Sequence, residues 1–359
     1  MRSSDARAPS QPPTCADVVV AGASFAGLAV ARELPGRTVL IDHQAVGEGQ
    51  TSACGTPVSV LASIGASSAV QESHDDLVIH TPGRTARWPL PEPFCTFDYR
   101  ACCVAVFRGT DAPIVRAFVH GREGSLVRTT VGDVSGRVLV DATGWRAALS
   151  GGTRRPGHPR GYVGFGLEAT VPVAFDTGLH FYFWPDVLPD GYLWAFPAGT
   201  STRVGLISYR ARTQLGPVLD VFLRRLGLPS GPRHGGFLGG GFRPPVADDV
   251  FVVGDAAGHC LPFTGEGIRL AVRAGGVAGR LIGQALDGRI SLDVARARYR
   301  AFALHARRSY RLLEWVTVAS LIVPATALGA VAGWASRPGP LRILLGHYLK
   351  IFSPGAAAL

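Results

Sequence analysis

Lysine is almost missing from this chain of 359 residues. Its only lysine is Lys350, so the net charge of +10 comes from arginines that are scattered along the sequence. They form no dense basic run and no basic stripe interleaved with aromatic residues, which is the pattern expected of a nucleic-acid-binding surface. The sequence therefore argues against a nucleic-acid partner. Its positive charge instead suits phosphorylated substrates or an anionic membrane face.

Metal-binding and export patterns are missing as well. The cysteines form no Cys-x-x-Cys pair and show no histidine spacing typical of zinc, so we predict neither a metal site nor a disulfide framework. The six are Cys15, Cys54, Cys95, Cys102, Cys103 and Cys260. Residues 1–14 lack the apolar segment of a signal peptide and are polar and proline-containing, which predicts a disordered tail. These absences indicate a reducing compartment and a cytoplasmic protein.

A glycine-rich turn near the start connects a predicted apolar strand, residues 18–21, to a predicted helix, residues 28–34. Gly22 allows a tight turn, and Gly27 allows helix and strand to approach closely. The free N–H groups at the helix N-terminus can bind a pyrophosphate. The residues predicted to form this part of a dinucleotide site are Gly22, Ser24, Phe25, Ala26 and Gly27.

Ser24 replaces the middle glycine of the Gly-x-Gly-x-x-Gly fingerprint. Its Cβ lies where the backbone should approach the phosphate, so the loop must open slightly or use the hydroxyl as a donor. The next predicted strand, residues 37–42, ends at Asp42, twenty positions after Gly22. A carboxylate at this position can accept hydrogen bonds from both hydroxyls of an adenosine ribose. The whole unit fits one nucleotide.

A second segment, past residue 250, complements the first. Residues 252–254 are predicted to form a strand, and Asp255 at its end can hydrogen-bond a ribityl hydroxyl. The following loop leads into a helix from Ile268, whose N-terminal N–H groups can stabilise the negative N1–C2=O edge of a reduced flavin. The two segments together predict FAD. The residues predicted to contact it here are Gly254, Asp255, Pro262, Gly265, Glu266, Gly267 and Ile268.

Four blocks of the chain resemble flavoproteins of the glutathione-reductase type with a single nucleotide domain, which include aromatic hydroxylases, flavin halogenases and geranylgeranyl reductases. The blocks are the glycine-rich turn and residues 140–144, 192–197 and 254–268. The resemblance implies that Gly144 also contacts FAD and that Arg100 begins a helix near the cofactor. An alternative alignment through residues 97–98 leaves the role of Arg100 open.

Residues 189–197, PDGYLWAFP, resemble the P-x-x-Y-x-W-x-F-P signature of geranylgeranyl reductases, and residues 264–268 resemble a second motif of that family. Cys54 and Gly55 resemble a Cys-Gly pair that this family carries facing the flavin. The resemblance implies an FAD-dependent oxidoreductase that reduces C=C bonds of an isoprenoid or other apolar, lipid-like substrate. Reduced FAD would deliver the hydride, with NAD(P)H or another reductant as electron donor.

The resemblance also implies a substrate slot. Tyr192, Trp194 and Phe196 would line it and stabilise developing positive charge, although alternating aromatics also form ordinary packed strand faces. Cys54 is a candidate catalytic residue or a small buried hydrophobe. His259 beside the second segment is a candidate proton donor or a packed loop histidine.

Three alternatives concern the reaction. Halogenases of this superfamily use a cavity lysine and a W-x-W-x-I-P string, whereas this chain has Lys350 near its end and Tyr192 and Phe196 within the string, which argues against halogenation. An FAD-dependent monooxygenase acting on an apolar natural product stays open because it needs no diagnostic residue type. A non-catalytic FAD-binding module is the third alternative.

The C-terminal part of the chain is apolar. Residues 315–334 carry no charge and reach the length of a membrane span. Residues 341–352 place Arg342 and Lys350 on one helical face, as in an interfacial helix. We expect these helices to roof a lipid tunnel or to contact a membrane peripherally. A true span and a helix packed on the core are the alternatives.

With 47% hydrophobic residues the chain can bury a large core, and the resemblance to the flavoproteins implies the fold class α/β. A Rossmann-like FAD-binding domain of the glutathione-reductase type is interleaved with an α+β substrate domain that carries an antiparallel sheet, and C-terminal helices follow. A proline-rich turn is expected at residues 89–93. The predicted boundaries are 15–55, 94–155 and 236–300 for the FAD-binding domain, 56–93 and 156–235 for the substrate domain, and 301–359 for the apolar helical region.

Overall fold

The computed structural model of the chain describes residues 14–151, 164–239, 241–322 and 325–353. Residues 1–13 of the predicted tail and residues 156–163 of the predicted substrate domain lie outside these ranges. The strands within them are β1 (Cys15–Ala21), β2 (Thr38–Asp42), β3 (Gly55–Pro57), β4 (Val70–Thr81), β5 (Arg84–Phe97), β6 (Ile114–Arg116), β7 (Val119–Glu123), β8 (Leu126–Thr129), β9 (Val134–Asp141), β10 (Gly164–Val171), β11 (Leu179–Tyr182), β12 (Gly191–Ala198), β13 (Ser201–Ser208), β14 (Arg233–Leu238), β15 (Val246–Ala247) and β16 (Val250–Val252).

The helices of the same ranges are α1 (Phe25–Arg32), α2 (Val58–Ser63), α3 (Tyr99–Arg108), α4 (Gly216–Arg225), α5 (Ile268–Leu286), α6 (Leu292–His305), α7 (Arg307–Ser320), α8 (Ala325–Ala335) and α9 (Pro338–Lys350). Helix α5 begins at Ile268 as predicted, whereas α1 begins three residues before the predicted residue 28. The Asp98 side chain accepts a hydrogen bond from the Ala101 N–H at 2.6 Å. This N-cap fixes the start of α3.

The first sheet has the strand order β15-β16-β9-β1-β2-β6, and β8 and β7 extend it from β9. Strands β16, β9, β1, β2 and β6 run parallel. Residues 18–21 of β1 are completely buried, as in a parallel sheet covered on both faces. The loops that follow β1, β9 and β16 leave the same edge of the sheet. This topology brings the two distant nucleotide segments together.

The second sheet has the order β14-β10-β13-β12-β11-β4-β5-β3 and is antiparallel except for the β11–β4 pair. Helix α4 packs on one of its faces, where Leu219 and Phe222 are fully buried. The opposite face carries aromatic side chains toward the first sheet. The predicted α/β fold class with C-terminal helices is confirmed, while the division into domains stays a prediction.

The expected turn at residues 89–93 is wrong, because these residues lie inside β5. Strand β3 pairs only with residues 94–96 on the outer side of β5. The preceding part of β5 therefore has an outer edge on which proline, which lacks an N–H donor, removes no ladder hydrogen bond. The ladder with β4 shifts register between His74 and Asp76, opposite this proline-rich segment.

The apolar C-terminal stretch is divided between α7 and α8, and α9 follows after a short connection. Helix α8 packs against β4 and β5, and α9 packs against β5. The Trp88 Nε1–H donates a hydrogen bond to Ser336 Oγ at 2.9 Å. In the part of the chain that the structure describes, every helix is too short or too polar to cross a membrane.

Candidate active site

A cavity of about 1170 Å³ is lined by residues of both sheets and of the C-terminal helices. The glycine-rich loops line one end, and apolar side chains of the second sheet line the other. The sequence-predicted site residues that line this cavity are Gly22, Ser24, Phe25, Ala26, Asp42, Cys54, Gly55, Gly144, Tyr192, Trp194, Phe196, Gly254, Asp255, Gly265, Glu266, Gly267 and Ile268.

The turn after β1 requires glycine at two positions. Gly22 has φ +107°, and a Cβ there would lie 2.1 Å from the carbonyl oxygen of Ala142. A Cβ on Gly27 would lie 1.9 Å from the Gly22 carbonyl oxygen. Gly27 therefore supports the close contact of helix and strand and does not itself line the cavity.

Ser24 is the N-cap of α1, but its side chain makes no capping hydrogen bond. Its Oγ lies 3.1 Å from the hydroxyl of Tyr99, which also lines the cavity. The serine hydroxyl is thereby turned toward α3, and the N-terminus of α1 is left to a ligand. An anion is favoured at such a helix end by the helix dipole and the backbone N–H groups.

Asp42 ends β2 beside this turn. Its carboxylate accepts hydrogen bonds from the Ala23 N–H at 2.8 Å and the Gln44 N–H at 3.0 Å. These two bonds fix the carboxylate, and each oxygen keeps a further lone pair. The arrangement fits the two hydroxyls of a ribose.

The end of the cavity predicted to hold the flavin is formed by the loop before α5. Asp255 is half-buried there, and burial raises the pKa of its carboxyl, opposed by a hydrogen bond from the Gly239 N–H. Helix α5 begins after Gly267, with no side chain capping its N-terminus. Residues 264–268 line the cavity, so unbonded helix N–H groups are available to it. Both ends of the cavity fit FAD.

Three predicted site residues lie elsewhere. Arg100 is exposed on α3 and does not line the cavity. Pro262 borders a separate small cavity. His259 is completely buried between Phe242 and Phe352, and neither of its ring nitrogens has a hydrogen-bond partner among the described residues. Burial lowers the pKa of His259 to about 3, and we assign it no proton transfer.

The three aromatic residues of β12 share the cavity face of the strand. The Tyr192 hydroxyl donates a hydrogen bond to the Thr264 carbonyl oxygen at 2.5 Å, which ties the slot to the flavin loop. The Phe196 ring packs edge-on against Phe181, with 5.1 Å between centroids. The Trp194 Nε1–H donates to Glu168 Oε2 at 2.8 Å. Hydrogen bonds and ring contacts thus hold these rings against the cavity.

Cys54 has a left-handed backbone conformation, φ +52°, and is buried. Burial raises the pKa of its thiol to about 12, although the nearby Arg203 guanidinium opposes the rise. Arg203 is buried as well and donates to the carbonyl oxygens of Ala53 and Phe97 at 2.9 and 2.7 Å. Cys54 is therefore a neutral thiol at neutral pH, unsuited to act as a nucleophile.

No protein-family model matches the chain. A digeranylgeranylglycerophospholipid reductase from Methanococcus aeolicus is 34% identical over 128 residues, which cover 33% of this chain and 33% of that protein. Digeranylgeranylglycerophospholipid reductase 3 from Methanosphaera stadtmanae is 25% identical over 325 residues, covering 76% of this chain and 78% of the relative. The chain is therefore similar to digeranylgeranylglycerophospholipid reductases, and it spans about a third of the length of the first of these relatives.

Solved structures share the fold of this chain. A geranylgeranyl bacteriochlorophyll reductase-like protein from Thermoplasma acidophilum superimposes with a TM-score of 0.79 and 20% identity, covering 96% of this chain and 97% of that one. A flavin-dependent brominase gives a TM-score of 0.71 and 15% identity, covering 93% of each chain. Similar folds thus occur in proteins named for different chemistry, and the residues of the site must decide between them.

Sequence reasoning did not identify Glu168 and Tyr99, which also line the cavity. Glu168 is 3% exposed and is the only acidic residue of β10. A single acid in an otherwise apolar strand is the signal that could have identified it, because buried carboxyls need a partner. Tyr99 carried no comparable signal, since its contact with Ser24 joins positions 75 residues apart.

Proposed function

We propose that this protein is an FAD-dependent reductase of C=C bonds in an isoprenoid or a similar apolar lipid. The observation that carries the proposal is the continuity of the cavity. Its loop end fits FAD, and the same space continues into a slot lined by Tyr192, Trp194 and Phe196. The names of the reductase relatives support the choice of substrate class.

The residues of the slot bind and orient the chain of the substrate. Each buried CH₂ group of a prenyl chain contributes about 0.8 kcal/mol, so an apolar slot of this size can hold a long chain without polar contacts. Reduced FAD would supply the hydride. The electron-rich faces of Trp194 and Tyr192 stabilise positive charge that develops on the second alkene carbon. Cys54, a neutral thiol, offers a compact polarizable surface beside them.

We propose that electrons reach FAD from NAD(P)H or another external reductant. We also propose that the protein contacts a membrane through α7, α8 and α9. Leu312, Trp334 and Leu344 line the cavity and are 65%, 58% and 48% exposed, which supports an opening of the cavity at this surface. Arg342 and Lys350 are exposed on α9 and suit anionic headgroups. A lipid substrate could then enter without crossing water.

The deciding experiment is anaerobic reduction of the purified flavoprotein by dithionite, followed by geranylgeranyl diphosphate. Reoxidation of the flavin absorbance without oxygen, with a gain of two mass units for each reduced double bond, is the expected result. Phytanyl diphosphate, whose chain is saturated, is the matched control and should leave the flavin reduced.

Two other results would overturn the proposal. If the flavin stays reduced until air is admitted and the product gains an oxygen atom, the protein is a monooxygenase. If the prenyl substrate does not reoxidise the bound flavin, and admission of oxygen yields no oxygenated product, the non-catalytic alternative is supported.

A further inference from the structure

One row of paired residues crosses the second sheet from β12 to β14. Trp194 is paired with Gly205, Gly205 with Glu168, and Glu168 with His234. A Cβ on Gly205 would lie 2.3 Å from Cζ2 of Trp194. The indole therefore extends across the glycine, and its N–H reaches the carboxyl of Glu168.

Glu168 is held between two groups in the apolar part of the cavity. Its Oε2 accepts from the Trp194 Nε1–H at 2.8 Å, and its Oε1 lies 3.1 Å from His234 Nε2, close enough for an ion pair but not oriented as a hydrogen bond. Trp194 and Glu168 both line the cavity, so the carboxyl adjoins the slot in which the substrate chain is proposed to lie.

Three other proton-bearing groups that line the cavity are engaged or unsuited. Glu266 forms a two-bond ion pair with Arg269, at 2.8 and 2.7 Å. The Tyr192 hydroxyl donates to a backbone carbonyl. The Cys54 thiol has a pKa of about 12. Among the described groups beside the aromatic slot, Glu168 is the one whose carboxyl lies next to a second ionisable side chain, His234, that reaches solvent.

His234 connects this carboxyl to solvent. It lies on β14, the edge strand of the sheet, and its side chain is 24% exposed, whereas that of Glu168 is 4% exposed. A histidine in such a position can take a proton from water and pass it inward. The pair thus spans the wall between solvent and an otherwise apolar slot.

We propose that Glu168 is the proton donor of the reaction and that His234 returns the proton to it from solvent. This inference rests on the proposed C=C reduction. The hydride from reduced flavin forms one C–H bond with its electron pair. The O–H bond of Glu168 breaks and its proton forms the second C–H bond with the π electrons of the alkene. The resulting carboxylate is reprotonated through His234.

The test compares single turnovers of reduced, FAD-loaded enzyme with geranylgeranyl diphosphate under anaerobic conditions. Glu168→Gln keeps an acceptor for Trp194 but cannot donate a carboxyl proton, so flavin reoxidation should slow by about 100-fold or more. Glu168→Asp, which keeps the acid, should retain more of the rate. Glu72→Gln on β4, outside the cavity, is the matched control and should react like wild type.

Two further readouts separate proton donation from structural support. In D₂O the wild type should place deuterium on one face of the carbon that accepts the proton, and Glu168→Gln should lose this facial preference. In repeated turnovers with excess dithionite, His234→Ala should slow the reaction because each further turnover needs a reprotonated Glu168, and added imidazole should restore the rate because the position reaches solvent. Bound-flavin absorbance verifies that each variant is folded.

The outcomes distinguish the two proposals. If wild type reoxidises and Glu168→Gln matches its rate and stereochemistry, the role of Glu168 is overturned while the reductase function stands. If His234→Ala reacts at the wild-type rate, or is slow and insensitive to imidazole, the relay is overturned. If wild type itself leaves the flavin reduced, the reductase function fails and the role of Glu168 fails with it.

Discussion

Trp194 extends its indole ring directly across Gly205, where any Cβ would lie 2.3 Å from the ring and 2.9 Å from the Leu167 carbonyl oxygen. The absence of one methyl group therefore decides whether the indole N–H can reach Glu168. Trp194 and Gly205 lie opposite each other in adjacent strands of the second sheet. The slot is shaped by a small residue as much as by its aromatic ones.

Gly205→Ala tests this relationship. We expect the Trp194 ring to be displaced, a loss of about 1–3 kcal/mol in unfolding free energy from overpacking, and slower reduction of a prenyl substrate with FAD still bound. Urea unfolding and anaerobic turnover measure the two effects. Gly339→Ala on α9, where an added Cβ meets no atom within 4 Å, is the control. Unchanged stability and turnover in Gly205→Ala would contradict the packing argument.

Gly22→Ala should abolish stable FAD binding. The added Cβ would meet the Ala142 carbonyl oxygen at 2.1 Å, and φ +107° is unfavourable for alanine. The ratio of flavin to protein after purification measures the effect. Gly109→Ala, whose Cβ would have an ordinary 3.5 Å contact at the end of α3, should keep its flavin. A yellow Gly22→Ala protein with full occupancy would argue against this turn as the cofactor site.

Arg269→Met should destabilise the junction of the flavin loop and α9. The guanidinium is fully buried, pairs with Glu266 and donates to the Ile351 carbonyl oxygen at 2.7 Å. Removing it leaves the Glu266 carboxylate buried and unpaired, which costs about 3–5 kcal/mol. Urea unfolding should show that the double variant with Glu266→Gln loses less than the sum of the two single changes. Additive losses would mean that the pair is not coupled.

His259→Leu should reduce the sensitivity of stability to acid. The pKa of His259 is about 3 in the folded protein, below its ordinary value of 6.5, so the unfolded chain binds the proton more readily. The contribution of neutral His259 to the unfolding free energy is fully present above pH 6.5 and is lost progressively as the pH falls toward 3. Between pH 7 and pH 5 this one group removes about 2 kcal/mol from the unfolding free energy of wild type. Parallel stability curves for wild type and variant would contradict the assignment.

Trp315→Arg with Trp334→Arg should weaken binding to vesicles. The two side chains are 74% and 58% exposed on α7 and α8. Cosedimentation with uncharged phosphatidylcholine vesicles measures the effect because added arginines would be attracted to anionic lipid, and vesicles of phosphatidylglycerol test the contribution of Arg342 and Lys350 in the wild type. Val294→Arg changes an exposed apolar residue on α6, outside α7, α8 and α9, and is the control. Equal sedimentation of wild type and the double variant would overturn membrane contact through these helices.

Local sequence patterns predicted the nucleotide half of the fold well. Gly22, Gly27 and Asp42 are recognisable because the turn, the close packing and the ribose contact each demand one residue type at one spacing. The turn predicted from local sequence at residues 89–93 was wrong. Proline favours a turn when considered alone, but the outer edge of β5 tolerates it because β3 is short.

The sequence by itself determined the glycine-rich loops, the aromatic string of β12 and the apolar character of the C-terminus, because each is encoded in neighbouring residues. Only the tertiary structure decided which of these residues meet. Arg100 and His259 do not line the cavity, whereas Tyr99 and Glu168 do. Tyr99 contacts Ser24, which is 75 residues away in the sequence. Pairing between distant strands has no local signature, since a register fixed by the whole sheet sets it.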